Sequence, residues 1–161
     1  MISDSTRTLL NAQIMAEFFS SNFYLELAAN LYFMGYPGFC EYMKKQAEEE
    51  RAHGMKIYDF LLCQNASVFI VAIAEVESEN FKTPDKVFAR VYEHEKDVTE
   101  SINLCMKEAI ANNDYAVISF LQWFVDEQVQ EEKESYRLAE KTKMLGEDVS
   151  GLFALEAELL K

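Results

Sequence analysis

Apolar residues recur at three- and four-residue steps along four long stretches of this chain, the period of a helix with one buried face. The first stripe reads Leu10, Ile14, Glu17, Ser21, Tyr24, Ala28 and Leu31, which predicts a helix capped by Ser5 or Thr6 and running to about Met34. Gly35-Tyr36-Pro37-Gly38 breaks it, with Pro37 suited to the first turn of the next helix. That helix carries Phe39, Met43, Ala47, Glu50, His53 or Gly54, Ile57 and Leu61, and ends near Gln64. Thr83-Pro84 opens a third helix with Val87, Val91, Glu95, Val98, Ile102, Cys105 and Ala109 on one face. After a turn with a cap at Asn112-Asn113-Asp114, a fourth helix runs from about Tyr115 to Met144. Its face reads Val117, Phe120, Phe124, Gln128, Glu131, Ser135 and Leu138, and Gly146 stops it. Glu147 to Leu160 can form a short fifth helix on Val149, Leu152, Phe153, Leu155 and Leu159.

Helices of about 28 residues are each ~42 Å long. Short links join the first to the second and the third to the fourth, so each pair is antiparallel. The link from Asn65 to Thr83 breaks the helical period, with the β-branched and aromatic run Val68-Phe69-Ile70-Val71 near its start. Extended, such a link reaches about 60 Å and can return along a whole helix. The expected fold is all-α: one domain over residues 1–161, a four-helix bundle with one long crossover and a short fifth C-terminal helix.

Composition narrows the partners. Half the residues are hydrophobic, so the chain can build a core, and five Gly with two Pro disfavour a turn-rich β fold. A net charge of −13 excludes nucleic acid or an anionic membrane as the main partner and suits cations. The longest apolar run, Val68 to Ala74, is too short to span a bilayer. Cys40, Cys63 and Cys105 form no CxxC and no disulfide framework; they read as reduced packing residues of a cytoplasmic protein. The first residues lack the basic-then-apolar pattern of a secretory signal.

One spacing occurs twice. Glu17 is followed by Glu50 and His53, at 50 − 17 = 33 and 53 − 17 = 36; Glu95 is followed by Gln128 and Glu131, at 128 − 95 = 33 and 131 − 95 = 36. In two antiparallel hairpins, Glu17, Glu50, His53, Glu95 and Glu131 therefore meet at one height. The four carboxylates each interrupt the apolar stripe of a different helix. Buried together they would repel and protonate unless cations or a polar network compensate them. Oxygen donors with a single imidazole are the ligand set of two hard metal ions, and matched height favours metal over a purely structural network.

These motifs carry a family resemblance. Glu17…Tyr24, Glu49-Glu50-Arg51-Ala52-His53, His94-Glu95 and Phe120-Leu121-Gln122-Trp123-Phe124-Val125-Asp126-Glu127-Gln128, followed by Glu131-Glu132-Lys133, resemble the non-haem ferritins, particularly the bacterial kind, over nearly the whole chain. The resemblance implies a ferroxidase centre: Glu17, Glu50 and His53 hold one iron, Glu50 bridges, and Glu95 with Glu131 hold the second. Gln128 stands where the sister bacterioferritins have a Glu. Their haem-ligating Met would align near Ala52, so no haem is expected, and Met55 reads as packing. Tyr24 is implied as a hydrogen-bonding partner and electron donor, against a plain core tyrosine; Trp123 could relay an electron but reads first as packing. A weaker third iron site is implied at Glu49, Glu127, Gln130 and Glu131, where the amide of Gln130 replaces a carboxylate. His94 points away from the site, as surface or packing. Fe(II) with O₂ or H₂O₂ would be the substrates, and a homo-oligomeric shell of 24 subunits would hold the mineral. The Val68–Ile73 segment would pair across a two-fold axis and the fifth helix would lie near a four-fold one. The rivals are a soluble di-iron oxidoreductase or peroxidase acting on a separate substrate, and a passive shell subunit.

Overall fold

The computed structural model describes residues 2–77 and 79–161. Five helices follow one another: α1 (Asp4–Phe33), α2 (Pro37–Cys63), α3 (Pro84–Ala111), α4 (Tyr115–Leu145) and α5 (Val149–Leu159). They form the expected four-helix bundle with one long crossover and a short C-terminal helix. α1 packs on α2 and α3, α3 on α4, and α5 on the end of the bundle against α2 and α4. No strand occurs among the described residues, and none of the helices is long and apolar enough to cross a membrane.

The helix starts differ from the expectation in their caps. The cap of α1 is Ser3, not Ser5 or Thr6: its Oγ accepts from the Thr6 N–H at 3.2 Å. Ser3 is fixed from outside the helix, because its own N–H donates to the Asp114 carboxylate at 3.2 Å in the α3–α4 turn. Pro37 and Pro84 open α2 and α3 as expected, while the Thr83 and Asp114 side chains make no cap bond. Gly146 ends α4 at a positive φ of 55°, the conformation in which glycine carries no side-chain penalty. The start of the crossover is tied to α1 by buried Asn11, which donates to the Ser67 carbonyl at 3.0 Å and accepts from the Phe69 N–H at 2.7 Å. Beyond it Phe69, Ile70, Val71 and Ile73 face solvent.

The core is split. One apolar cluster gathers Phe23, Leu27, Leu31, Phe39, Met43, Val87, Phe88 and Leu138 with Leu152 and Leu155 of α5. The other gathers Leu10, Ile14, Ile57, Leu61, Val98, Ile102, Val117, Leu121 and Phe124. Each such side chain contributes about 1.5–3 kcal/mol by leaving water. Between the clusters lies a buried polar layer of Glu17, Glu50, His53, Glu95 and Gln128. The interruption of the stripes at one height, read from the sequence, is this layer.

Candidate metal centre

Glu17 comes from the middle of α1, while Glu50 and His53 come from one face of α2 at i and i+3. One donor atom from each lies within 4.8 Å of the others, the spacing of ligands around a single cation. His53 Nδ1 stands 3.4 Å from Glu50 Oε2. Gly54 permits this approach of α1: a Cβ there would fall 2.7 Å from Phe18 Cε1 and 3.3 Å from Glu17 Cβ.

The remaining polar residues grip the carboxylates from outside. Gln13 donates to Glu17 Oε1 at 2.9 Å, and its amide is held in that sense because its own oxygen accepts from the Ser101 hydroxyl. Glu95, from α3, accepts from the Tyr24 hydroxyl and, at 3.2 Å, from Gln128 Nε2. Glu131, from α4, is half-buried and accepts from Gln46 Nε2 at 3.4 Å. Two oxygens are left over: Glu17 Oε2 and Glu50 Oε2 are buried and neither accepts a hydrogen bond from the described residues. Such orphaned acceptors cost roughly 1–3 kcal/mol each, more when ionised, unless a cation or proton meets them.

The electrostatics agree. Burial first, then the charge of Glu50, raise the Glu17 carboxyl well above its ordinary range. Glu50 is raised by burial and by the charge of Glu95. The direct interaction of the two carboxyls adds to the rise at Glu17 and opposes that at Glu50. Glu95 is raised by burial, against the hydrogen bonds from Tyr24 and Gln128. Glu131 is pushed up to about 7 by burial and by the charges of Glu95, Glu49 and Glu127. The Tyr24 phenol is fully held in its neutral form by burial and by Glu95 and Glu50. All of these acids bind protons where divalent cations would compete for the same oxygens.

The sequence-derived residues divide accordingly. Glu17, Glu50 and His53 come together directly; Glu95 and Glu131 join them through charge, Glu95 acting on both Glu50 and Glu131. Of the third group, Glu49 and Gln130 are exposed and Glu127 is half-buried, with Glu49 and Glu127 both acting on Glu131. Of the two readings of His94, packing holds and surface does not: it is buried, lies tilted against Phe23 with ring centroids 4.2 Å apart, and hydrogen-bonds Ser20 at 2.9 Å. Burial and Arg90 hold its pKa down to about 4, so it sits there neutral. Met55 is exposed in this chain rather than packed. Trp123 meets the His53 ring edge-on at 5.4 Å and carries the Lys56 ammonium 3.3 Å above its own ring. Gln13, Ser101 and Gln46 were missed by the sequence reading. Gln13 had a signal, as a polar residue four positions before Glu17 on the same face; Ser101 and Gln46 had none that the chain's own helix could supply.

Comparisons with known proteins follow this geometry. Residues 7–145 match the Ferritin-like domain family. A probable bacterial non-heme ferritin-like protein of Haemophilus influenzae is 35% identical over 99% of this chain and 96% of its own length. A bacterial non-heme ferritin of Bacteroides fragilis is 34% identical over 99% and 98%. Among solved structures, an open-pore ferritin of the hyperthermophilic archaeon Archaeoglobus fulgidus superposes with a TM-score of 0.95 at 38% identity, covering 99% of this chain and 98% of that one.

Proposed function

The chain belongs to the ferritin-like domain family, and from that premise we propose that it oxidises Fe(II) at a di-iron centre inside the bundle and stores the Fe(III) as a ferric oxyhydroxide mineral. The observation that carries this reading is the meeting of Glu17, Glu50 and His53 donor atoms, with two buried carboxylate oxygens that accept no hydrogen bond from the described residues. Glu17, Glu50 and His53 hold the first ferrous ion and Glu50 leans between the two. Glu95 and Glu131 take the second, and Gln128 orients Glu95. Glu49, Glu127 and Gln130 offer a weaker third position beside Glu131.

The donor set fits oxidation followed by release. Carboxylates stabilise Fe(III) over Fe(II) and so favour loss of an electron. With a single imidazole among the ligands, the product is not held as a soft, tight cofactor would be. Two ferrous ions supply two electrons together, which with two protons take O₂ to H₂O₂ or, in a second turnover, H₂O₂ to water. Ferrous binding displaces the protons that burial keeps on Glu17, Glu50 and Glu131 in the metal-free chain. Tyr24, bonded to Glu95, would give a further electron to the oxidant and pass its proton to that carboxylate.

The same reading includes a cytoplasmic homo-oligomeric shell of 24 subunits. Support comes from the apolar run Phe69, Ile70, Val71 and Ile73, which a lone chain leaves in water. The test is aerobic addition of Fe(II) to the metal-free protein, following Fe(III) absorbance and the iron retained in the large particle, beside Glu50→Ala and His53→Ala. Fast oxidation in the parent alone, with iron retained, is the expected result. Equal slow oxidation in all three would reject the centre and leave a passive shell. Fast oxidation with no retained iron would point to an oxidase acting on another substrate.

A further inference from the structure

A groove of about 290 Å³ runs between α3 and α4, lined among others by Thr99, Ile102, Val125, Val129 and Glu132, and it ends on Gln128. Gln128 is itself buried, and its Nε2 is 3.2 Å from Glu95 Oε2. One amide side chain therefore separates the floor of the groove from the carboxylate assigned to the second iron. We propose that this groove is the route by which the small neutral oxidant, O₂ or H₂O₂, reaches the centre, with Gln128 as its inner gate. The inference rests on the ferroxidase reading above.

Three observations support it. The first is polarity. Ile102, Val125 and Val129 give the walls their apolar part, Thr99 and Asn103 are neutral, and Glu132 is the single acid among the lining residues. A hydrated ferrous ion finds there one carboxylate, against the several that crowd Glu131, whereas a neutral diatomic or peroxide loses little hydration. The acids that crowd Glu131, Glu49 and Glu127, belong to α2 and α4, and neither lines the groove. Cation and oxidant thus have separate approaches.

The second is the hold on the gate. Gln128 Nε2 is shared among Glu95 Oε2 at 3.2 Å, the Glu95 carbonyl at 3.3 Å and Thr99 Oγ1 at 3.3 Å. Each is longer than the usual N–H···O distance of about 2.9–3.0 Å, so none pins the amide firmly. The terminal amide torsion is also broad and soft. The third is charge: an amide at the gate leaves Glu132 as the one acid lining the passage, where a second carboxylate would pair with it to capture cations from the groove side.

Val129 stands at the mouth and is 60% exposed, so a larger side chain there reduces the opening without entering the core. Val129→Phe also leaves Trp123 as the chain's one tryptophan. The experiment loads parent and Val129→Phe with Fe(II) anaerobically, measures binding through Trp123 emission, and then mixes each with O₂ or with H₂O₂ in stopped flow. The expected result is unchanged Fe(II) binding and about tenfold slower oxidation, a barrier increase of about 1.4 kcal/mol. Slowing with one oxidant only supports the route and identifies what travels it. Equal rates with both oxidants overturn the route, as does slow oxidation accompanied by weaker Fe(II) binding. If the parent itself fails to oxidise Fe(II), the ferroxidase reading falls instead.

Discussion

Replacing Glu131 by Gln should make the metal-free protein more stable at neutral pH while leaving it unchanged in acid. The Glu131 carboxyl is raised from 4.5 to about 7 by burial and by the charges of Glu95, Glu49 and Glu127. The folded chain therefore binds this proton more tightly than the unfolded chain. Stability from that binding is fully present below about pH 4.5 and is lost as pH rises through 7. One proton gives a slope of about −1.4 kcal/mol per pH unit, so 2.5 units amount to roughly 3 kcal/mol, reduced to about 2 by solvent screening at a half-buried position. Gln keeps the shape and an oxygen for the Gln46 amide, and lacks the charge. Thermal unfolding of metal-free parent and Glu131→Gln, followed by circular dichroism at one protein concentration, reads the difference. The two should coincide near pH 4 and separate by about 2 kcal/mol at pH 7.5, a Tm shift of roughly 4–8 °C in favour of the variant for a chain of this size. Co(II) should reverse the order at pH 7.5, because its ligands bind deprotonated and the variant lacks one. Parallel stability profiles across this range, or a variant weaker at both ends, would refute the claim that Glu131 carries an uncompensated charge in the metal-free bundle.

Two further substitutions probe the frame around the site. Gly54→Ala sets a gain of about 1 kcal/mol in helix propensity against about 1–3 kcal/mol of overpacking on Phe18, and it presses on Glu17 Cβ. The expected outcome is a small net loss of stability with about tenfold weaker Co(II) binding, read by Trp123 emission; parent-like affinity would mean that α1 shifts freely. Glu156→Ala removes the acceptor for the Phe39 N–H, 2.8 Å away at the start of α2, and should cost roughly 1–3 kcal/mol. Hydrogen exchange should accelerate in the first turn of α2 with Co(II) affinity unchanged, and slow exchange there in the variant would contradict the cap.

What the sequence discloses here depends on how far a residue's partner lies along the chain. Glu17, Glu50, His53, Glu95 and Gln128 were legible because each breaks an apolar stripe of its own helix, and hairpin geometry then sets their common height. The same logic found the bundle, its crossover and the short fifth helix. It placed the cap of α1 too late, because Ser3 is selected by Asp114, 111 positions away. It could not see that Ser101 fixes the amide of Gln13, since that bond depends on the rotational register of α3 against α1.

Glu156 shows the same limit from the other side. On the sequence it is one acid among 21 Glu, in a helix whose apolar residues already explain its docking. In the fold it is buried, caps α2, and lies against Gly38, where a Cβ would approach Glu156 Cβ to 2.7 Å. A buried acid thus has two different uses in one small bundle. Glu156 has a backbone donor from the protein itself, so its place is structural. Glu17 and Glu50 retain buried oxygens that accept no hydrogen bond from the described residues. It is this difference in partners, rather than burial or charge alone, that separates the acids open to a cation from the acid that holds a helix end.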